Sequence, residues 1–222
     1  MSKFIPLSEP CLTNEDRNLL LKSFDSTFIS SSGEYLNKFE EKITSYTKTG
    51  ACALTTNGTS AIHLGLKALG VKDGDEVICP SLTFIASINP ILYLNANPVF
   101  LDSDKYFCLD LDKLKYFLET ETFTTKSGTF NKKTRKKISA LILVHVWGNA
   151  AKAVEVSREC KRRGIKVLED STESLGTKIL KQNYGNEIQF DVKKFIFTIE
   201  TERPKIVILA NPNMPTGTMI CF

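Results

Sequence analysis

The chain has 222 residues and is 42% hydrophobic, enough to bury a core as one large domain or two small ones and too much for a disordered protein. Its net charge of +4 comes from 29 basic and 25 acidic residues, with part of the excess in one run, Lys132, Lys133, Arg135, Lys136 and Lys137; no aromatics interleave with that run, so it reads as a solvated loop and not as a nucleic-acid surface. The six cysteines lack CxxC spacing and the N-terminus lacks an apolar signal region, so no metal site, disulfide framework or membrane contact is expected, and a soluble cytoplasmic protein is.

In chain order, TNEDRNLLLKSF (13–24) starts with a Thr or Asn cap and acidic residues in its first turn, which predicts a helix. The SSSG cluster is a loop, and EYLNKFEEKITSYT repeats apolar residues at helical spacing. ACALTTNG is a brief strand ending in a glycine turn, followed by the helix TSAIHLGLKALG. VKDGDEVICPS gives a turn and a buried strand, LTFIASINPILYLN a helix, and NPVFLDSD a strand closed by carboxylates. LDLDKLKYFLETE is a helix, and TFTTKSGTFNKKTRKK an inserted loop or hairpin. ISALILVHVWG is a buried strand, AAKAVEVSRECKRRG a helix, and IKVLEDSTESLG a strand ending on acidic residues. Strands alternating with helices predict an α/β fold around a largely parallel sheet.

Beyond residue 177 the pattern changes. IQFDVKKFIFTIETERPKIVILANPNMPTG has the layout of residues 109–149, an acidic cap, a helix, a buried strand and a loop, so the tail reads either as a second version of that unit or as the ordinary helix-then-strand repeat of an α/β protein.

Three places carry candidate chemistry. In TTNGTSAIHLGL, Gly58 leaves room for a sharp turn, and Thr59 and Ser60 offer hydroxyls and N–H groups to an anion at a helix N-terminus. Thr and Ser there are more often plain caps. In ICPSLTFIAS, Phe84 follows a strand end, where an aromatic serves either the core or a planar ligand. In VLEDSTES, Asp170 and Glu173 stand at or beyond the carboxyl end of a buried strand, where ligands of open α/β sheets bind. A carboxylate beside a pyridinium nitrogen stabilises its protonated form. Of the two histidines, His63 reads as packing, and His145, in a strand near the site, as a minor contact.

In this order the segments resemble the DegT/StrS-type sugar aminotransferases of pyridoxal-phosphate (PLP) fold type I. The resemblance runs from about Ile5 to Thr177 and rests on IPLSEP, NGTSAIHLGL, GDEVICPSLTFIASINPILYLNANPVFLD, VHVWGNAAK and KVLEDSTESLGT. The insertion at 128–149 and the Glu in EDSTES are similar to the branch that makes 4-amino sugars for surface glycans. The resemblance implies a three-layer α/β/α large domain, incomplete here, with pyridoxal 5'-phosphate as cofactor. By it, Gly58, Thr59 and Ser60 take the phosphate, Phe84 stacks on the ring, Asp170 pairs with its nitrogen and Glu173 approaches its hydroxyl. A nucleotide-linked keto sugar, glutamate as amino donor and a homodimer are implied as well.

The resemblance breaks after the acidic strand, where relatives continue into a Gly-rich turn, a Ser-Phe strand and the Schiff-base lysine. Lys193 and Lys194 lie at about that distance, but IQFDVKKFIF lacks the approach and reads as an amphipathic helix with solvated lysines, leaving no motif-matching catalytic lysine. From about residue 184 the tail, PKIVILANPNMPTGTMI, instead resembles class I/II aminotransferases of the histidinol-phosphate type, with Met214 before Pro215 and with Asn211 and Asn213 as possible donors. A large-domain portion over 1–180 is thus expected, joined between about Leu180 and Asn186 to a helix-strand fragment over 181–222 that adds at a sheet edge or docks loosely. A truncated or chimeric aminotransferase, a non-catalytic binding protein and a partner of a full-length homologue all remain open on this reading.

Overall fold

The computed structural model describes residues 4–5 and 10–177 and, as backbone, the strands over 207–210 and 218–221. Helix α1 (Asn14–Asp25) starts at a capping box: the Thr13 hydroxyl accepts from the Asp16 N–H, and the Asp16 carboxylate accepts from the Thr13 N–H at 2.7 Å. Next come α2 (Glu34–Thr47), β1 (Cys52–Thr55), α3 (Gly58–Ala68), β2 (Glu76–Pro80), α4 (Asn89–Tyr93), β3 (Asn97–Leu101) and α5 (Leu111–Thr120). The hairpin β4 (Thr122–Thr125) and β5 (Gly128–Asn131) precedes β6 (Lys137–Val144), α6 (Ala153–Arg162) and β7 (Lys166–Asp170), and β8 (Val207–Ala210) and β9 (Thr218–Cys221) complete the described elements. Among the described residues, no helix is long and apolar enough to cross a membrane.

One sheet holds them, in the order β1-β9-β8-β7-β6-β2-β3, with the hairpin attached through β5 to the start of β6. Strands β8, β7, β6, β2 and β3 run parallel. Because β9 is antiparallel to both β8 and β1, β1 points the same way as that parallel group. The carboxyl ends of β1, β2, β6, β7 and β8 therefore share one edge of the sheet.

Alternation along the strands sorts the core into two faces. Val77 and Cys79 of β2, Ala140, Ile142 and Val144 of β6 and Leu168 of β7 pack with Ala61, Ile62 and Leu66 of α3 and Ile91 of α4. Ile78, Leu141 and Leu143 face the other way, against Leu114 and Leu118 of α5 and Val156 and Cys160 of α6. Strands covered on both faces read as unbroken apolar runs, hence the unbroken LILV of β6. The result is the expected α/β/α sandwich with a mostly parallel sheet.

Two expectations change and one is narrowed. The single helix predicted over 82–95 is broken into a 3-10 turn (Ile85–Ser87) and α4; Pro90 lacks an N–H and sits at the start of α4, where none is needed. The insertion expected to be a loop or hairpin is a hairpin, anchored where the buried Glu76 carboxylate accepts from Asn131 Nδ2 at 2.9 Å and the Thr134 hydroxyl at 2.6 Å. The tail strands do not add at an edge: β8 lies between β7 and β9, and β9 between β8 and β1, where each satisfies backbone groups on two sides. The helix expected near Lys193, the junction between about 180 and 186 and the NPNMPTG loop lie outside the described residues.

Candidate active site

The shared carboxyl edge gathers the sequence candidates. At the start of α3 the cap is Asn57, in extended backbone, whose Oδ1 accepts from the Ser60 N–H at 2.8 Å. Gly58 is the first helical residue and has no positive φ, so the sharp turn expected of it is not made there: the chain passes from extended backbone at Asn57 directly into the helix. The Ser60 N–H is occupied by this cap. The N–H groups of Gly58 and Thr59 and the hydroxyl of Thr59 remain as donors at the positive end of the helix dipole, and the Ser60 hydroxyl lies 3.5 Å from that of Thr56.

After β2 the backbone stays extended at Phe84 (φ −68°, ψ 140°) and then turns. Phe84 is 79% exposed, so its ring is not part of the core. Three residues on, the Ser87 hydroxyl donates to Asp170 Oδ2 at 2.8 Å and accepts from the Thr83 hydroxyl at 3.1 Å. The segment that carries Phe84 is thereby tied to the carboxylate at the end of β7.

Asp170 is 4% exposed and heavily bonded. Besides Ser87 on Oδ2, its Oδ1 accepts from the Thr172 N–H at 3.2 Å and the Thr172 hydroxyl at 2.6 Å. A carboxylate has about four acceptor positions, so these bonds fix its plane and leave about one open for a further donor. Asp170 shares its face with Leu168, the face covered by α3 and α4.

Glu169 takes the opposite face and accepts from His145 at 3.1 Å. His145 Nδ1 accepts from the Ala151 N–H at 3.0 Å, so the ring proton is assigned to Nε2, which donates to Glu169. The His145 backbone N–H donates to the Asp170 carbonyl at 3.1 Å. His145 thus braces the ends of β6 and β7 from behind the sheet. His63 packs edge-on against Tyr93 at 5.8 Å.

Glu173 accepts from the backbone N–H of Trp147 at 2.6 Å. Trp147 has a left-handed backbone (φ 52°), as does Phe107 (φ 67°), and their rings meet edge to face at 4.9 Å. For bulky residues such conformations cost on the order of 1–3 kcal/mol each. Lys193 and Lys194 lie outside the described residues.

A helix N-terminus with free donors, an exposed aromatic and an oriented carboxylate with an open acceptor position share one sheet edge. Such a set suits a planar, phosphorylated ring whose nitrogen carries a proton. The profile of the DegT/DnrJ/EryC1/StrS aminotransferase family matches residues 10–197. The chain belongs to this family. Pyridoxal 5'-phosphate is the family's cofactor, and the residues at the edge fit it. Among curated relatives, the chain is 36% identical over 176 residues to the GDP-perosamine synthase of Escherichia coli O157:H7, covering 79% of the chain and 44% of that protein. It is 32% identical over 181 residues to the GDP-perosamine synthase of Vibrio cholerae, covering 82% of the chain and 45% of that protein. The chain therefore spans a little under half the length of these DegT-family relatives. Of solved structures, an aminotransferase from Psychrobacter cryohalolentis superposes with a TM-score of 0.72 at 20% identity, covering 97% of this chain and 49% of that one. A GDP-4-keto-6-deoxymannose-3-dehydratase with bound GDP-perosamine gives 0.73 at 19%, covering 97% and 50%. At these identities the superpositions establish the fold.

Sequence reasoning missed Ser87, Thr83 and the Phe107–Trp147 pair. The signal for Thr172 was present, since a hydroxyl two residues after an Asp commonly bonds back to it. Ser87 lies 83 residues from its partner, and no local pattern announces such a bond.

Proposed function

We propose that this chain is the cofactor-cradling portion of a PLP-dependent aminotransferase that converts nucleotide-linked 4-keto sugars to 4-amino sugars for surface polysaccharide, with glutamate as amino donor. The observation that carries the reading is the Ser87–Asp170 hydrogen bond, because it joins the aromatic and the carboxylate into one receptor for a ring. Similarity to GDP-perosamine synthases supports the substrate class. When bound, PLP supplies the electron sink of amino-group transfer. Gly58 and Thr59 would hold its phosphate through their N–H groups, with the hydroxyls of Thr59 and Ser60 beside them, and Phe84 would stack on its ring. Asp170, kept in place by Ser87 and Thr172, holds a proton on the ring nitrogen by stabilising the cationic form. Glu173 serves the ring-hydroxyl side.

The reading also takes the site to lack a covalently bonding lysine. Strand β8 runs beside β7 and ends at the edge where Asp170 stands, and the connection from β8 to β9, residues 211–217, reads NPNMPTG, without lysine. The same observation favours a second reading, a binding-only protein or a partner subunit of a full-length homologue; in either reading we take the chain to pair with a second copy. Loss of a positioned proton-transfer group commonly costs ~10²- to 10⁴-fold in rate. The test incubates the purified chain with PLP, glutamate and a set of nucleotide-linked 4-keto sugars, and measures amino-sugar formation together with PLP retention on dialysis. Retention without turnover, with retention weakened by Asp170→Ala, is expected. Turnover by the isolated chain would exclude the lysine-less reading, and retention unaffected by Asp170→Ala would exclude the assigned cradle.

A further inference from the structure

Two surface aromatics at the same sheet edge are unexplained by the cofactor roles. Trp147 is 65% exposed and Phe107 45% exposed, yet both hold left-handed backbones that bulky side chains rarely adopt. Their burial is too slight to account for that choice. Their surroundings nonetheless fix it. The Trp147 N–H is held by Glu173, the Phe107 N–H donates to the Asp104 carbonyl at 3.0 Å, and the Asp104 carboxylate accepts from the N–H groups of Tyr106 and Cys108. Asn149 Nδ2 donates to the Tyr106 carbonyl at 3.3 Å and so ties the two loops together. Strained, exposed and firmly anchored aromatics are the pattern of a presented surface.

We propose that Phe107 and Trp147 form a stacking platform for the nucleobase of a nucleoside-diphosphate ligand. The inference rests on the nucleotide-sugar reading above and assigns the nucleotide end of that substrate to these residues. The platform stands close to the cofactor cradle: Trp147 follows by two residues His145, whose N–H bonds the Asp170 carbonyl, and its own N–H bonds Glu173. A flat π-face suits any base, and stacking of a base on an aromatic side chain is tolerant of its identity. Lys105, two residues before Phe107, has its Nζ 5.0 Å from the Tyr106 ring centroid, and we assign its cation to the diphosphate. Asp104 does not oppose it freely, since its carboxylate is engaged by two N–H groups.

Trp147 is the single tryptophan of the chain, so its fluorescence reports on the platform directly. The experiment titrates GDP, UDP and dTDP, and separately free mannose, into the whole chain while following that emission, with PLP retention measured in parallel by dialysis. Saturable quenching by at least one nucleoside diphosphate and none by mannose is expected. Phe107→Gly removes the ring while relieving the left-handed backbone, so it folds at least as well as the parent; it should weaken nucleotide binding roughly tenfold, the scale of one lost stacking contact. Lys105→Ala should weaken nucleoside diphosphates more than the corresponding nucleosides. The proposal is overturned if no nucleotide quenches while PLP is retained, if mannose alone quenches, if Phe107→Gly binds as the parent does, or if dilution alone changes the emission, which would mean that a second copy covers the platform. Loss of both nucleotide and PLP binding would sink the underlying reading as well.

Discussion

Replacing Ser87 with alanine tests the bond on which the site depends. The change removes one hydroxyl, the 2.8 Å hydrogen bond it donates to Asp170, a residue 4% exposed, and the weaker 3.1 Å bond it accepts from Thr83. A hydrogen bond to a charged group contributes about 1.5–3 kcal/mol, and the two bonds from Thr172 survive, which favours the lower end. In a domain of this size each kcal/mol moves the melting temperature by roughly 2–4 °C, so a fall of about 3–12 °C is expected, read by near-ultraviolet circular dichroism on a reversible melt. Ser139→Ala is the matched control: its hydroxyl is buried without a hydrogen-bond partner, so its loss should be neutral or stabilising. Equal destabilisation by the two variants, or an unchanged melt for Ser87→Ala, would refute the claim that Ser87 holds Asp170.

Two further outcomes follow from charge and burial. The side-chain hydrogen bond from Arg163, with Arg162 adding, holds the Glu159 carboxyl below its ordinary 4.5. A lowered folded value contributes stability that is present above pH 4.5 and is lost as pH falls through the folded value. Glu159→Gln should therefore destabilise at neutral pH, by about 1 kcal/mol for a part-buried cluster at the surface, and the two urea curves should converge in acid. Burial pushes the thiols of Cys79 and Cys160 up to about 12, so they stay protonated and unreactive at neutral pH. A thiol reagent should modify exposed Cys11 in the folded protein and reach Cys79 and Cys160 only on unfolding, as peptide mass mapping would show.

Much of the fold was legible because the central strands β2 and β6 are covered on both faces, which leaves the unbroken apolar run LILV in β6, while caps such as Thr13 announce helix starts. What the pattern could not give is adjacency. A strand's sequence tells how buried it is and not which neighbour it pairs with, so the one tail strand, expected to add at an edge or dock loosely, is β8 and lies with the unexpected β9 in the interior of the sheet between β7 and β1. The break at Pro90 was written in the sequence and was overridden by the apolar spacing around it. At the site, the order of the phosphate turn, the aromatic and the carboxylate could be read along the chain. The hydroxyl bridge from Ser87, the bracing of the strand ends by His145 and the strained pair at Phe107 and Trp147 depend on contacts between distant segments, and only the folded chain brings these together.

The most direct test of the account is whether PLP becomes covalently attached to this chain. The protein is saturated with PLP, treated with borohydride, digested and analysed by mass spectrometry, alongside Asp170→Ala. Saturable binding that depends on Asp170, with no lysine-containing peptide labelled in stoichiometric amount, is the predicted result. Stoichiometric labelling of one peptide, such as that bearing Lys193 and Lys194, would contradict it and identify the lysine taken here to be absent.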